Sequence, residues 1–187
     1  MTNAHNRKKQ PELVRRLLLD CAAKLAIEGG FSAVTVQAVA DGAGVTKGGL
    51  FHHFPSKQAL IDAVVQDLIA QVDAEVDKAM ARDDQGYGSF TRAYIEITFS
   101  HQDYGINSPL AGKARASLID RDFNRMWAVW SAGRLSRHAD TDSDPMLEIV
   151  RLAADGAWMT RVVSDDLEAL RDVEALRQRL VAMTRPR

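Results

Sequence analysis

"GVTKGGLFHHFPSKQAL", from Gly44 to Leu60, reads as a turn, a short helix and the start of another helix. Thr46 is placed to cap a helix beginning at Lys47, and Leu50 falls where such a helix would face inward. Yet that helix opens with Gly48 and Gly49, each of which costs roughly 1 kcal/mol against alanine. A sequence that accepts this cost needs the missing side chains for something.

Upstream, Pro11 is suited to a helix start. Leu13, Leu17, Leu18, Cys21, Ala22, Leu25 and Ala26 then recur at spacings of three and four, the stripe of an amphipathic helix that ends at "EGG", Glu28 to Gly30. Thr35 caps a second helix over Val36 to Ala43, with Val36, Val39 and Ala40 facing inward. Gly44 breaks it before the helix at Lys47, and two short helices joined by a tight glycine turn make a helix-turn-helix. After Phe54, Pro55 ends the helix and Ser56 caps a fourth that runs unbroken to about Arg82. Phe90, Tyr94, Ile97 and His101 share one face of a fifth helix. "YGINSP" reads as a loop, Leu110 to Ile119 as a short helix, and Phe123, Trp127 and Trp130 mark the helix after it. "HADTDSDP" reads as a polar loop before two final helices, Met146 to Val163 and Leu167 to Met183. No segment alternates with period two, so the expected fold is all-α.

The chain has 187 residues, 46% of them hydrophobic and 26% charged, the balance of a globular protein with a sizeable core. One cysteine, Cys21, excludes an internal disulfide. No run is apolar enough for a membrane span, and the polar, basic "MTNAHNRKKQPE" lacks the core of a signal peptide, so a cytoplasmic protein is expected. Net charge is −1 but uneven: residues 1–57 hold eight Lys and Arg against four acids, +4, leaving −5 for the rest. A basic end on an acidic body is the asymmetry of a protein whose one end meets nucleic acid.

From Leu17 to Val64 the order and spacing of residues resemble the TetR-type transcriptional regulators. The resemblance lies in an alanine-bearing first helix ending in glycine, Thr35 before the second, Ala43-Gly44-Val45 at the turn, Gly48 in the third, and Phe54-x-Ser56-Lys57 followed by Leu60. It implies a three-helix DNA-binding domain over residues 1–55, with a disordered basic arm at 1–10, joined by a long helix to an effector-binding and dimerisation domain over residues 56–187. A recognition helix presents its first turn to base edges and phosphates, and small residues there let the backbone come close. The expected DNA contacts are therefore Thr46, Lys47, Gly48 and Gly49 at that turn, then Phe51, His52 and His53, with Lys57 at the next helix start and Thr35 and Gln37 from the second helix. Lys47 is the candidate for base readout, His53 could instead bond the first helix, and Thr35 serves equally as a plain cap. Phe51 stands where the family usually has tyrosine, and Gly49 replaces a residue that often bears a hydroxyl, so binding would lean on Lys47, His52, Lys57 and the arm's Arg7, Lys8 and Lys9.

In the body, Tyr94, Phe99, Phe123, Met126, Trp127, Trp130, Trp158 and Met159 form an aromatic and methionine set that reads either as core or as the lining of a pocket for a small apolar effector. His101 and Asp155 are its candidate polar handles, although Asp155 could equally pair with Arg151. The last two helices carry more apolar surface than one monomer buries, and the resemblance implies a homodimer through helices near 146–163 and 167–183. No metal site, cofactor motif or nucleophile–base pair stands out, which disfavours an enzyme. The expected function is a repressor that binds a double-stranded palindromic operator and is released by its effector. The alternative is a ligand-independent DNA-binding protein whose helical body recruits or blocks a protein partner.

Overall fold

Helices make up every regular element among the described residues: α1 (Asn3–Ala33), α2 (Val36–Gly42), α3 (Lys47–His53), α4 (Lys57–Arg82), α5 (Ser89–Thr98), α6 (Arg121–Arg137), α7 (Ala139–Asp142), α8 (Pro145–Val163) and α9 (Val173–Met183). The computed structural model describes residues 3–101, 105, 121–163, 170 and 172–185, and for 3–10 and 122 the backbone alone. The loop expected at 104–109 and the helix expected at 110–119 lie outside those residues, apart from Gly105.

Two apolar clusters organise the chain. The first joins Leu18, Leu19, Ala22 and Ala26 of α1, Val39 and Ala40 of α2, Leu50 of α3, Phe54, and Leu60 to Val65 at the start of α4. The second joins Val72, Val76 and Ala79 further along α4 to α5, α8 and Leu180 of α9. With 26 residues, α4 is about 39 Å long at 1.5 Å per residue, and it enters both clusters. A second bridge was not expected. Phe123 and Met126, early in α6, pack on the first cluster, while Trp127, Trp130 and Leu135 pack on the second.

The local signals explain the head. Thr35 Oγ1 accepts from Ala38 N–H, Thr46 Oγ1 from Gly49 N–H and Ser56 Oγ from Ala59 N–H, three side-chain caps at three successive helices. Gly44 turns the chain at φ 67° and Gly30 breaks α1 at φ 71°, a left-handed geometry that favours glycine. Three expectations need correction here. The basic arm expected to be disordered is drawn as helix, since α1 runs back to Asn3 through Pro11. Leu13 and Leu17 are not core, being 60% and 42% exposed, because the head packs on the face bearing Leu18, Leu19, Ala22 and Ala26. The acidic stretch after α6 is not all loop: Ala139–Asp142 forms a helical turn, and Asp142 is buried.

Asp142 explains that turn. The residue before α5 is Gly88, which has no side chain to cap it, and the Asp142 carboxylate accepts instead from Phe90 N–H, Thr91 N–H at 2.8 Å and Thr91 Oγ1–H at 2.6 Å. A carboxylate at a helix N-terminus meets unpaired N–H groups and the favourable end of the dipole. Arg151 of α8 completes the knot, donating to Thr91 Oγ1 at 2.6 Å and to the Asp142 carbonyl.

Candidate functional site

The exposed end of the head is built from the first turns of α2, α3 and α4. Thr35, Gln37, Thr46, Lys47, Gly48, Phe51, His52 and Lys57 are all exposed there, while Gly49 and His53 are half-buried. Each capping threonine uses its oxygen as acceptor for its own helix, so its hydroxyl hydrogen remains available to an outside acceptor. Cap and DNA contact are thus compatible roles for Thr35 and Thr46. Gln37 is different: its amide donates to both carboxylate oxygens of Asp41 at 2.7 Å, a bond it would have to leave to hold a phosphate. His52 and His53 lie edge to face with ring centres 5.5 Å apart.

The glycines answer the question of the sequence. A Cβ added at Gly48 would come no nearer than 3.9 Å to Thr46 Oγ1, and one at Gly49 would meet the same atom at 3.4 Å, ordinary contact in both cases. Neither residue has positive φ. Among the described residues, nothing requires glycine at either position.

The body is held by charge as well as by apolar packing. Arg134 of α6 is 1% exposed and bonds three groups of α4: the Asp73 carboxylate at 2.6 Å, the Asp77 carboxylate at 2.6 Å and the Asp73 carbonyl at 2.9 Å. Trp130 Nε1–H donates to the same Asp73 oxygen at 2.5 Å. Burial pushes the Asp73 pKa up, but hydrogen bonds from Trp130 and Arg134 outweigh it and hold the carboxyl below its usual value. At the head, Arg16 of α1 grips both oxygens of Asp67 on α4 at 2.8 and 2.9 Å.

Of the residues expected to line an effector pocket, Tyr94 and Phe99 are buried in the second cluster, with Trp127, Trp130 and Trp158 half-buried against it. Phe123 and Met126 belong to the first cluster, and Met159 is 45% exposed on α8. His101 does not join the α5 face: the helix ends at Thr98, Phe99 is its C-cap, and His101 is exposed beyond it. Asp155 forms no described ion pair with Arg151, although the two charges act on each other. It accepts from the Tyr94 hydroxyl, and burial raises the pKa of both, helped at Tyr94 by the Asp155 charge. Asp73, Asp77, Arg134 and Asp142 went unremarked in the sequence, where each reads as one more charge on a solvated face.

Comparison with known proteins agrees with this architecture. Residues 18–64 match the family described as bacterial regulatory proteins, tetR family, and residues 88–185 match the Tetracyclin repressor-like C-terminal domain. The HTH-type transcriptional repressor KstR2 of Mycolicibacterium smegmatis is 31% identical over 164 residues, 81% of this chain and 79% of that protein. KstR2 of Rhodococcus jostii is 29% identical over 157 residues, 78% of this chain and 76% of the relative. Among solved structures, the multidrug binding protein EbrR complexed with malachite green superposes with a TM-score of 0.68 at 17% identity, covering 92% of this chain and 98% of its own. The ketosteroid transcriptional regulator KstR2 of Mycobacterium tuberculosis superposes at 0.56 with 19% identity, covering 91% and 92%. The chain belongs to the TetR family and is a transcriptional repressor homologous to the KstR2 repressors.

Proposed function

We propose that this repressor holds a short palindromic DNA operator as a homodimer and lets it go when a small, largely apolar effector binds the body. The observation that carries the DNA half is that a Cβ at Gly48 or Gly49 would make only ordinary contacts, beside exposed Lys47 and Lys57. Here α3 gives up helix stability for close approach to the groove. Lys47 reads a base edge, His52 and Lys57 take phosphates, Thr35 and Thr46 donate hydroxyl hydrogens to the backbone, and Phe51 adds an apolar contact, with the DNA-binding domain ending near Pro55.

Dimerisation is supported by the outer face of α8. Ile149, Leu152, Gly156, Met159 and Val163 follow one another at spacings of three and four, with Leu152 63% exposed and open space around Gly156. Ala154 and Ala157, on the other face, are buried inside the subunit. That seam, continued by Met183 of α9, suits a two-fold pairing of α8 and α9. Pairing would set two α3 helices at half-sites about 34–36 Å apart. Family members are dimers that bind small effectors, and one solved relative is described as a ketosteroid regulator, which supports an apolar ligand for this chain too. The ligand-independent alternative is not favoured. Among the described residues no helix is long and apolar enough to cross a membrane, and we read the protein as a cytoplasmic regulator with no enzymatic role.

The test is selection from random duplex DNA at low and high salt. Recovery of a two-fold symmetric site, weakened by salt and by Lys47→Ala, supports the proposal. Absence of enrichment at either salt overturns it.

A further inference from the structure

Between α4 and α6 runs an open groove of about 500 Å³, within the range of small-molecule sites. Gln66, Ile69 and Ala70 form one wall, and Met126, Val129 and Trp130 the other. Arg125 also borders it, and Asp73 is the acid on its lining. The groove takes only Met126 and Trp130 from the aromatic and methionine set.

Asp73 gives the groove its chemistry. Its side chain is 35% exposed. Oδ1 receives Trp130 Nε1–H and the Arg134 guanidinium, while no described hydrogen bond uses Oδ2. An ionised carboxylate has acceptor capacity for about four hydrogens and no donor. An apolar groove with one under-used anionic acceptor, beside an indole, selects a flat apolar molecule carrying a hydrogen-bond donor.

We infer that this groove binds a flat apolar alcohol, whose hydroxyl donates to the Asp73 carboxylate while its body lies between Ile69, Met126 and Trp130. The inference rests on the effector reading for its purpose. Asp73 is also where Trp130 and Arg134 fasten α6 to α4, and Asp67, earlier on α4, is where Arg16 fastens α1. A ligand that draws Asp73 away from Trp130 or Arg134 would thus loosen α4 against α6 while α4 stays tied to the DNA-binding helices. Such a ligand shifts the equilibrium only by its preference for the loosened state.

The experiment titrates the full-length protein with 2-naphthol and, separately, with its methyl ether, which has the same ring system without the donor. Nuclear magnetic resonance follows the Trp130 indole N–H, assigned through Trp130→Phe, and the Met126 methyl. The expected result is that both signals move more than those of Trp127 or Trp158, and that 2-naphthol binds about tenfold tighter than the ether, as a hydrogen bond to a charged acceptor provides. Asp73→Asn keeps the shape but removes the charge and should narrow that ratio to about threefold. Ala70→Trp changes an exposed residue on the wall and should abolish binding of both probes with the fold intact. Equal binding of the two probes, shifts centred on Trp127 or Trp158, indifference to Ala70→Trp, or no binding at millimolar concentration would each overturn the inference. Operator release is read in a separate titration: a probe that occupies the groove but leaves the DNA complex intact upholds the site and counts against the effector reading.

Discussion

The two ends of α4 are held by different physics. At the head, apolar contact does most of the holding: Leu60, Ile61, Ala63, Val64 and Val65 join Leu18, Leu50 and Phe54, and the charged link from Arg16 to Asp67 lies at the surface. In the body, Val72, Val76 and Ala79 are apolar too, but the tie to α6 is a buried guanidinium fastened to two carboxylates and a carbonyl. Apolar packing is tolerant of small shifts and keeps the DNA-reading unit as one body. A buried guanidinium has few alternatives to its present partners, so it holds one arrangement firmly.

Removing one anchor at each end sharpens that difference. Leu50 is fully buried, and Leu50→Ala should cost about 3 kcal/mol in urea unfolding, from lost transfer energy and the cavity left behind. Arg134→Met should cost about 2 kcal/mol, less than for a fully buried ion pair, since Asp73 and Asp77 are 35% and 62% exposed and regain water. If Arg134→Met proves neutral, the tie to α6 is apolar after all and the contrast fails.

Charge on the DNA face gives the next effect. Lys57→Ala should weaken all operator sequences alike and reduce the slope of log affinity against log salt by about 1, whereas Lys47→Ala should cost about 1–3 kcal/mol and relax the choice of base at one position. Uniform weakening by both would make Lys47 another phosphate contact.

Acid should test the body's network. Asp73 and Asp83 are held below the usual 3.8, the first by Trp130 and Arg134 and the second by Arg92, against the upward pull of burial. A depressed native pKa stabilises the fold above the unfolded value, and that contribution is lost as pH falls through the native one. Stability measured by thermal unfolding should therefore decline below about pH 4, and Asp73→Asn should flatten part of that decline. An unchanged acid profile in Asp73→Asn would mean that Asp73 makes no net contribution.

The same contrast decides what could be read from the sequence. The head's signals are local: Thr35, Thr46 and Ser56 cap helices that begin at the next residue, Gly44 marks a turn, and Leu50 is inward by spacing alone. The body's decisive contacts join residues fifty to sixty positions apart, as Asp142 with Thr91 and Arg134 with Asp73 do. An aspartate on a helix flank or in "HADTDSDP" carries no mark that distinguishes a buried cap from a solvated charge. Trp130 was legible as an inward aromatic, but its bond to Asp73 was not. Of the residues expected to touch DNA, eight are exposed and Gly49 and His53 are half-buried, and the bond tying Gln37 to Asp41 depends on geometry that spacing leaves open.

The smallest energy is the most informative. A Cβ at Gly48 would meet Thr46 Oγ1 at 3.9 Å, an ordinary contact, so Gly48→Ala should stabilise the protein by up to about 1 kcal/mol through helix propensity alone. If α3 gave up that stability for close approach to DNA, operator affinity must move the other way. The measurement is unfolding stability and operator affinity on the same Gly48→Ala preparation: a more stable protein that binds its operator more weakly is the predicted result, and a more stable protein that binds equally well or better would contradict it.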